Sequence, residues 1–235
     1  MEHPFTWYSS LHPFLPYPLS LLGEPNFTAL LVIVLLVALA LRFKRSVSSA
    51  KDPVVPDERF SVRNVLEFIL GKVVEFSDSI LGKKGRKYVP LFGTLFLFIL
   101  LGNFFGLIPG FTPPTSDFFT NLGMGLVVFF AYHYFGVREH GSRYFKQFMG
   151  PVLFLAPLFI LIEVFSHAFR PISLSIRLYG NMFGDHLVLE IFGNLTKVVV
   201  PVLFYALGTL VSIIQAGVFT ILSMIYVAMA ISHEH

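Results

Sequence analysis

Glu163, Arg170 and Arg177 recur every seven residues inside an otherwise apolar stretch. Seven residues turn an α-helix by about 700°, so successive positions drift by only about 20° and share one face. Ser166 and Ser173 fall on the same stripe, and Asn181 lies one turn past Arg177. Such a set handles charge: a carboxylate takes up and releases protons, whereas a guanidinium does not shed its proton. An arginine at the centre of a membrane helix costs roughly 2.5–3.5 kcal/mol on insertion scales. Arg177 therefore needs a cavity or a counter-charge, and no Asp or Glu lies within one turn of it. Spacing leaves two readings open. The counter-charge arrives on another chain, or Arg177 pins the bundle through a static ion pair with Glu163 or Asp185.

A second stripe lies near the C-terminus. Gly208, Ser212, Gln215, Phe219, Ser223 and Tyr226 follow 4-3-4-4-3 spacing, and Gln215 is the one amide deep in that run. Two helices facing each other through these stripes would bring Gln215 near Arg177. Gly180 and Gly184 would let another backbone approach closely. His133 and His167 also lie in apolar runs and read first as hydrogen-bonded packing residues.

These positions need apolar helices to carry them. The chain is 55% hydrophobic and only 13% charged, about half the charged share of a soluble domain. It reads as a single all-α integral membrane domain over 1–235. Runs long enough for a bilayer core of about 30 Å set the order. Residues 1–25 form a periplasmic segment, 26–43 a first span, 88–110 a second and 118–137 a third. Residues 147–187 and 191–232 form a hairpin of two long, steeply tilted crossings, which makes about five crossings in all. Val198 to Ser232 holds 35 residues without a charge. As one helix it extends about 50 Å, well beyond the hydrocarbon core. Pro201 sits near its start, and Gly208 and Gly217 form no turn pair, so one tilted helix is expected.

Eleven of the seventeen Lys and Arg lie between Arg42 and Lys87. Because cytoplasmic loops carry the positive excess, this places the N-terminus outside and the "ISHEH" terminus inside. Nucleic acid is a poor partner for charges that flank lipid-length segments. Residues 60–82 differ from the spans. Val62, Val65, Leu66, Ile69, Leu70, Val73, Phe76 and Ile80 fall at helical spacing, with Arg63, Glu67, Lys72, Glu75 and Asp78 mostly off that stripe. This is an amphipathic helix that rests on the cytoplasmic membrane surface or packs against a partner subunit.

Cysteine is absent, which excludes disulfides and thiolate metal sites. No H-E-x-x-H or G-x-S-x-G motif is present, so the sequence gives no case for an intramembrane enzyme. Neither cofactor nor metal is expected. No internal repeat is visible, which weighs against a self-contained transporter, the alternative reading, along with a self-contained ion channel.

"SLSIRLYGNMFGDH" resembles the signature of subunit a of F-type ATP synthases, the stator facing the rotating c-ring. So do "NFFGLIPGFTPPTSD", "IIQAGVFTILSMIYVAMA" and the terminal "HEH", over a stretch from about Pro90 onward. The resemblance implies two half-channels that let protons reach c-ring carboxylates from opposite sides of the membrane. Arg177 stands at the family's arginine, where it would face the deprotonated carboxylate and block leakage between half-channels. A permanent cation beside a carboxylate favours its charged form and so promotes proton release. Asn181 and Gln215 match polar positions nearby. Glu163 would line the outlet half-channel during synthesis, and Arg170 falls where members often carry a basic residue. The implied partners are the c-ring subunits, peripheral-stalk b subunits and the lipid of a bacterial inner membrane, with no catalytic role for the chain alone.

One departure concerns the inlet side. Many members carry glutamate nine residues past the arginine, where this chain has His186. Members with histidine there often carry glutamate on the last helix, at the place of Gly208. The inlet acid must come from elsewhere, and Glu190, one turn after His186, is the candidate, with Asp185 and Asp117 weaker ones. A free histidine titrates near neutral pH, so the residue type at His186 suits proton relay.

Overall fold

Each apolar run becomes a helix, and most ends have a local cause. The computed structural model describes residues 6–14, 16–20, 22–49, 61–141, 144, 156–195 and 199–232. Among them six long helices appear and no strand: α1 Glu24–Ser49, α2 Val62–Leu81, α3 Val89–Gly106, α4 Phe118–His140, α5 Ala156–Leu195 and α6 Val199–Ile231. Ser61 caps α2, its Oγ accepting from the Asn64 N–H at 3.4 Å, and Gly82 ends it with φ 66°. Asp117 caps α4, and Gly141 ends it with φ 60°, a left-handed conformation that favours glycine. All but α2 are long and apolar enough to cross a membrane, giving five candidate spans.

Several boundaries differ from expectation. The helix α1 runs past residue 43 to Ser49, because the basic residues that follow the apolar run are good helix formers. Conversely, α3 stops at Gly106 rather than 110. A Cβ at Gly106 would sit 2.7 Å from the Pro113 ring, so the chain folds back there over the helix end. At the other end of the chain, α5 continues past 187 to Leu195. Residues 191–195 thus belong to α5 and not to the last helix. The start expected at 147 falls outside the described residues. With 40 and 33 residues, α5 and α6 extend about 60 Å and 50 Å.

The chain forms two compact units, Met1–Pro113 and Pro114–His235. In the first, Val32 of α1, Leu66 and Val73 of α2, and Phe92 and Ile99 of α3 are buried. Leu70 of α2 reaches within 3.1 Å of where a Cβ at Gly93 would stand, so α2 and α3 approach closely. Glu24 gathers the turns at one end: its carboxylate accepts from the Thr6 hydroxyl at 2.8 Å and the Thr112 hydroxyl at 3.0 Å. Trp7 Nε1–H donates to the Pro109 carbonyl at 3.1 Å.

The face of α2 that packs is not the whole apolar stripe. Leu66 and Val73 are buried, but Val62, Val65 and Phe76 are exposed. Arg63, placed on the polar side by the pattern, is buried instead. Its Nε–H donates to Glu67 Oε1 at 2.7 Å, one turn on, which offsets the cost of its burial. Past the end of α2, Arg86 holds Asp78 through Nη2–H at 2.6 Å and keeps that carboxyl below the usual carboxylate range.

The second unit is built from α4, α5 and α6. Met124, Val128 and Tyr132 of α4 meet a core that includes Leu174, Leu178 and Met182 of α5 and Ala216, Phe219, Met224 and Val227 of α6. The closest crossing is at Gly125. A Cβ there would lie 2.7 Å from the Pro171 carbonyl oxygen and 3.0 Å from Ser175 Oγ. Pro171 sits inside α5 without ending it. Lacking an N–H, it leaves the His167 carbonyl without its helical donor. The Pro171 carbonyl in turn accepts the Ser175 hydroxyl at 2.6 Å.

Candidate functional site

The unbroken helix α5 keeps Glu163, Arg170, Ser173, Arg177 and Asn181 on one element. Its inner face is set by buried His167, Pro171, Leu174, Ser175, Leu178 and Met182. Ser166, Ser173, Arg177, Gly180 and Asn181 are exposed on the other side. Among the described residues Arg177 makes no hydrogen bond and no ion pair. Glu163 lies fourteen residues back, about 21 Å along the axis, and is engaged elsewhere. Asp185 makes no hydrogen bond or ion pair among the described residues either. The static pair with Glu163 or Asp185 is therefore not formed.

The second stripe is the buried face of α6. Gly208, Ser212, Gln215, Phe219 and Ser223 are all buried, with Tyr226 at its margin. Gln215 meets α5 at Asn181, not at Arg177: Asn181 Nδ2–H donates to Gln215 Oε1 at 2.6 Å. Gln215 is 5% exposed and its Nε2 has no partner among the described residues. An amide N–H2 left unpaired in a buried place costs on the order of 1–3 kcal/mol, so it is a donor held ready beside the arginine's helix.

Two turns and more before Arg177, the stripe enters a packed polar cluster. His167 Nε2 lies 3.1 Å from Glu163 Oε1, and its Nδ1 lies 2.8 Å from the Tyr132 hydroxyl. The guanidinium of Arg170 rests over two aromatic faces, 5.7 Å from the centre of Tyr132 and 5.3 Å from that of Tyr226. That cation–π sandwich ties α5 to α4 and α6. Arg170 is thereby anchored inside this chain. His133 packs its ring 5.1 Å from that of His167, and its Nδ1–H donates to the Phe129 carbonyl at 2.9 Å.

The inlet candidates are scattered. His186 and Asp185 are half-buried on α5, and neither is hydrogen-bonded among the described residues. Glu190 is on α5, but its side chain lies outside the described residues. Asp117 is committed to capping, accepting from the Thr120 N–H and the Thr120 hydroxyl, each at 2.8 Å. Gly180 and Gly184 border open space: a Cβ at either would meet nothing within 4 Å. Among the described residues no backbone approaches closely there.

The profile of the family described as ATP synthase A chain matches residues 26–228. The chain belongs to that family. It is 44% identical to ATP synthase subunit a of Bdellovibrio bacteriovorus over 82% of this chain and 84% of the relative. It is 45% identical to ATP synthase subunit a 1 of Syntrophotalea carbinolica over 88% and 85%. Identity to ATP synthase subunit a 3 of Pelobacter propionicus is 39% over 100% of both chains. The family match spans every candidate residue above, from Asp117 to Gln215.

Within that family frame, Tyr132 is the member of the cluster that sequence reasoning missed, whereas Tyr226 was already on the second stripe and only its contact with Arg170 is new. Tyr132 is 35 residues from His167 and on another helix, so helical periodicity along α5 carries no trace of it. The available signal was chemical: three ionisable residues at four- and three-residue spacing, Glu163, His167 and Arg170, in one apolar helix.

Proposed function

We propose that this chain is the proton-translocating stator subunit of a rotary F-type ATP synthase. It provides inlet and outlet half-channels to carboxylates on a c-ring, and Arg177 stands between them. The observation that carries this reading is Arg177 itself, exposed and without a partner among the described residues on the open face of α5. A permanent cation in an apolar span is tolerated when a counter-charge reaches it. With no acid engaged by Arg177 among the described residues, the acid comes from a neighbour. The open ground at Gly180 and Gly184 suits a partner helix that must glide past without interlocking. Each c-ring carboxylate releases its proton as it meets the guanidinium and takes up another after passing it. The Asn181–Gln215 pair lies one turn further along α5 and joins the two long helices where the inlet side begins.

On this reading the N-terminus is periplasmic, the basic stretch around α2 is cytoplasmic and the membrane is a bacterial inner membrane. Peripheral-stalk b subunits hold the chain against the torque of the ring. The test uses inverted vesicles carrying the assembled complex. Arg177→Ala should abolish ATP-driven acidification, and the purified chain alone in liposomes should move no protons. Solute or ion transport by the lone chain would favour a self-contained channel or transporter instead.

The inlet acid is Glu190, one turn past His186. Glu190→Gln should slow ATP-driven pumping about tenfold, a barrier of about 1.4 kcal/mol, while Asp185→Asn retains most of it. Equal rates in the two variants would sink this assignment.

A further inference from the structure

We infer that His167 is a positioning residue for Glu163, held by Tyr132 so that its Nε2–H is aimed at the Glu163 carboxylate on the outlet side. The inference rests on the proposed function, since it concerns how the outlet acid is presented.

The tautomer follows from the partners. Arg170 Nη1 lies 3.5 Å from His167 Nδ1, and a guanidinium can only donate. The ring nitrogen that faces it must therefore carry a lone pair. The Tyr132 hydroxyl, 2.8 Å from the same nitrogen, is then the donor of that contact. The ring's single proton is left on Nε2, where it points at Glu163 Oε1 3.1 Å away. The hydrogen bonds run in one direction, from Tyr132 on α4 through His167 to Glu163. A ring nitrogen fixed by the hydrogen bond on its other side is the usual way a histidine is held in one tautomer.

Burial grades along this chain in the sense a channel mouth requires. Tyr132 is 0% exposed. The His167 side chain is 11% exposed and that of Glu163 42%. The wet end is thus the carboxylate, and the dry end is a hydroxyl packed under α5. His133 of α4, Tyr226 of α6 and Tyr144 border the same cluster. His133 packs its ring on His167 and Tyr144 and donates to the Phe129 carbonyl, and Tyr226 lies under the Arg170 guanidinium. His167 is hydrogen-bonded to that carboxylate directly, one turn away on the same helix. Without it, Glu163 would sample the rotamers open to an exposed side chain, and the outlet would lose a fixed proton acceptor.

Two amide substitutions separate positioning from packing. In His167→Gln the amide nitrogen falls near the place of Nε2 and still donates to Glu163. In His167→Asn the amide oxygen falls near Nδ1 and still accepts from Tyr132, and the amide nitrogen cannot reach the carboxylate. Passive proton flux is measured through vesicles carrying the complex stripped of its soluble sector, normalised to the amount of assembled chain. His167→Gln should stay within about twofold of wild type, and His167→Asn should fall about tenfold, as expected for losing a hydrogen bond to a charged group. Glu163→Gln should fall as far, and adding His167→Asn to it should lower flux no further, because both remove one unit. Equal flux in the Asn and Gln variants, or additive losses in the double variant, would overturn the assignment. Impaired Glu163→Gln with unimpaired His167→Asn overturns it alone. Full flux in Glu163→Gln overturns the outlet role of Glu163 and this inference together.

Discussion

Arg177→Lys should abolish coupled proton transport while the chain still inserts and assembles. Charge is kept, so a role that needs only a cation predicts a mild effect. The role proposed here needs more. The side chain must stay charged when it is dry, between visits of the c-ring carboxylate. A guanidinium does so, whereas a lysine amine deprotonates readily when desolvated. A neutral lysine is itself a proton carrier and would open the leak that the arginine closes. The planar fork also matters, since it holds a carboxylate by two N–H groups at once. Nothing in this chain compensates, for Arg177 has no partner of its own among the described residues. Losing such a buried charge contact costs about 3 kcal/mol or more, at least about a hundredfold in rate. ATP-driven acidification of inverted vesicles is the measurement, with immunodetection of the chain to show that assembly is intact. Coupling at the wild-type rate would remove Arg177 from its place between the half-channels.

Much of this site was legible because membrane helices make polar residues expensive. Arg177 stood out through its cost, and the four- and seven-residue spacings placed its neighbours on one helix. The stripe on α6 was likewise readable, because small and polar residues in an apolar helix face protein and not lipid. It is indeed the buried face. What spacing does not carry is the register between helices. Gln215 was expected near Arg177 and meets Asn181 instead, a shift of one turn. Arg63 lies off the apolar stripe by spacing and is nonetheless buried, since an i, i+4 acid lets a cation enter a helix interface that composition alone would forbid. Nor does spacing say which glycines meet this chain: Gly180 and Gly184 border open space, and the tight backbone crossing among the described residues is at Gly125.

That crossing sets the second large effect: Gly125→Leu prevents stable packing of α4 on α5. The added Cβ alone would lie 2.7 Å from the Pro171 carbonyl oxygen and 3.2 Å from its Cα. Those are backbone atoms, so no side-chain rotation relieves the contact and the helices must separate. Overpacking of this kind costs typically about 1–3 kcal/mol, and more where backbone must move. Separation does further harm here. The same interface holds the Tyr132 hydroxyl against His167 and the Arg170 guanidinium over Tyr132. Opening it by an ångström breaks the hydrogen bond that fixes the outlet side as well as the apolar core. Gly123→Leu is the matched control, because a Cβ at Gly123 meets nothing within 4 Å on the same helix. The amount of chain retained in detergent-extracted membranes, and its thermal stability there, should fall sharply for Gly125→Leu and stay near wild type for Gly123→Leu. Because Gly125→Ala already brings the first clashing atom, it should fall between them. If Gly125→Leu were as stable as Gly123→Leu, the crossing at Pro171 would not be the one the working protein uses, and the alignment of Glu163, His167 and Tyr132 would have to be abandoned with it.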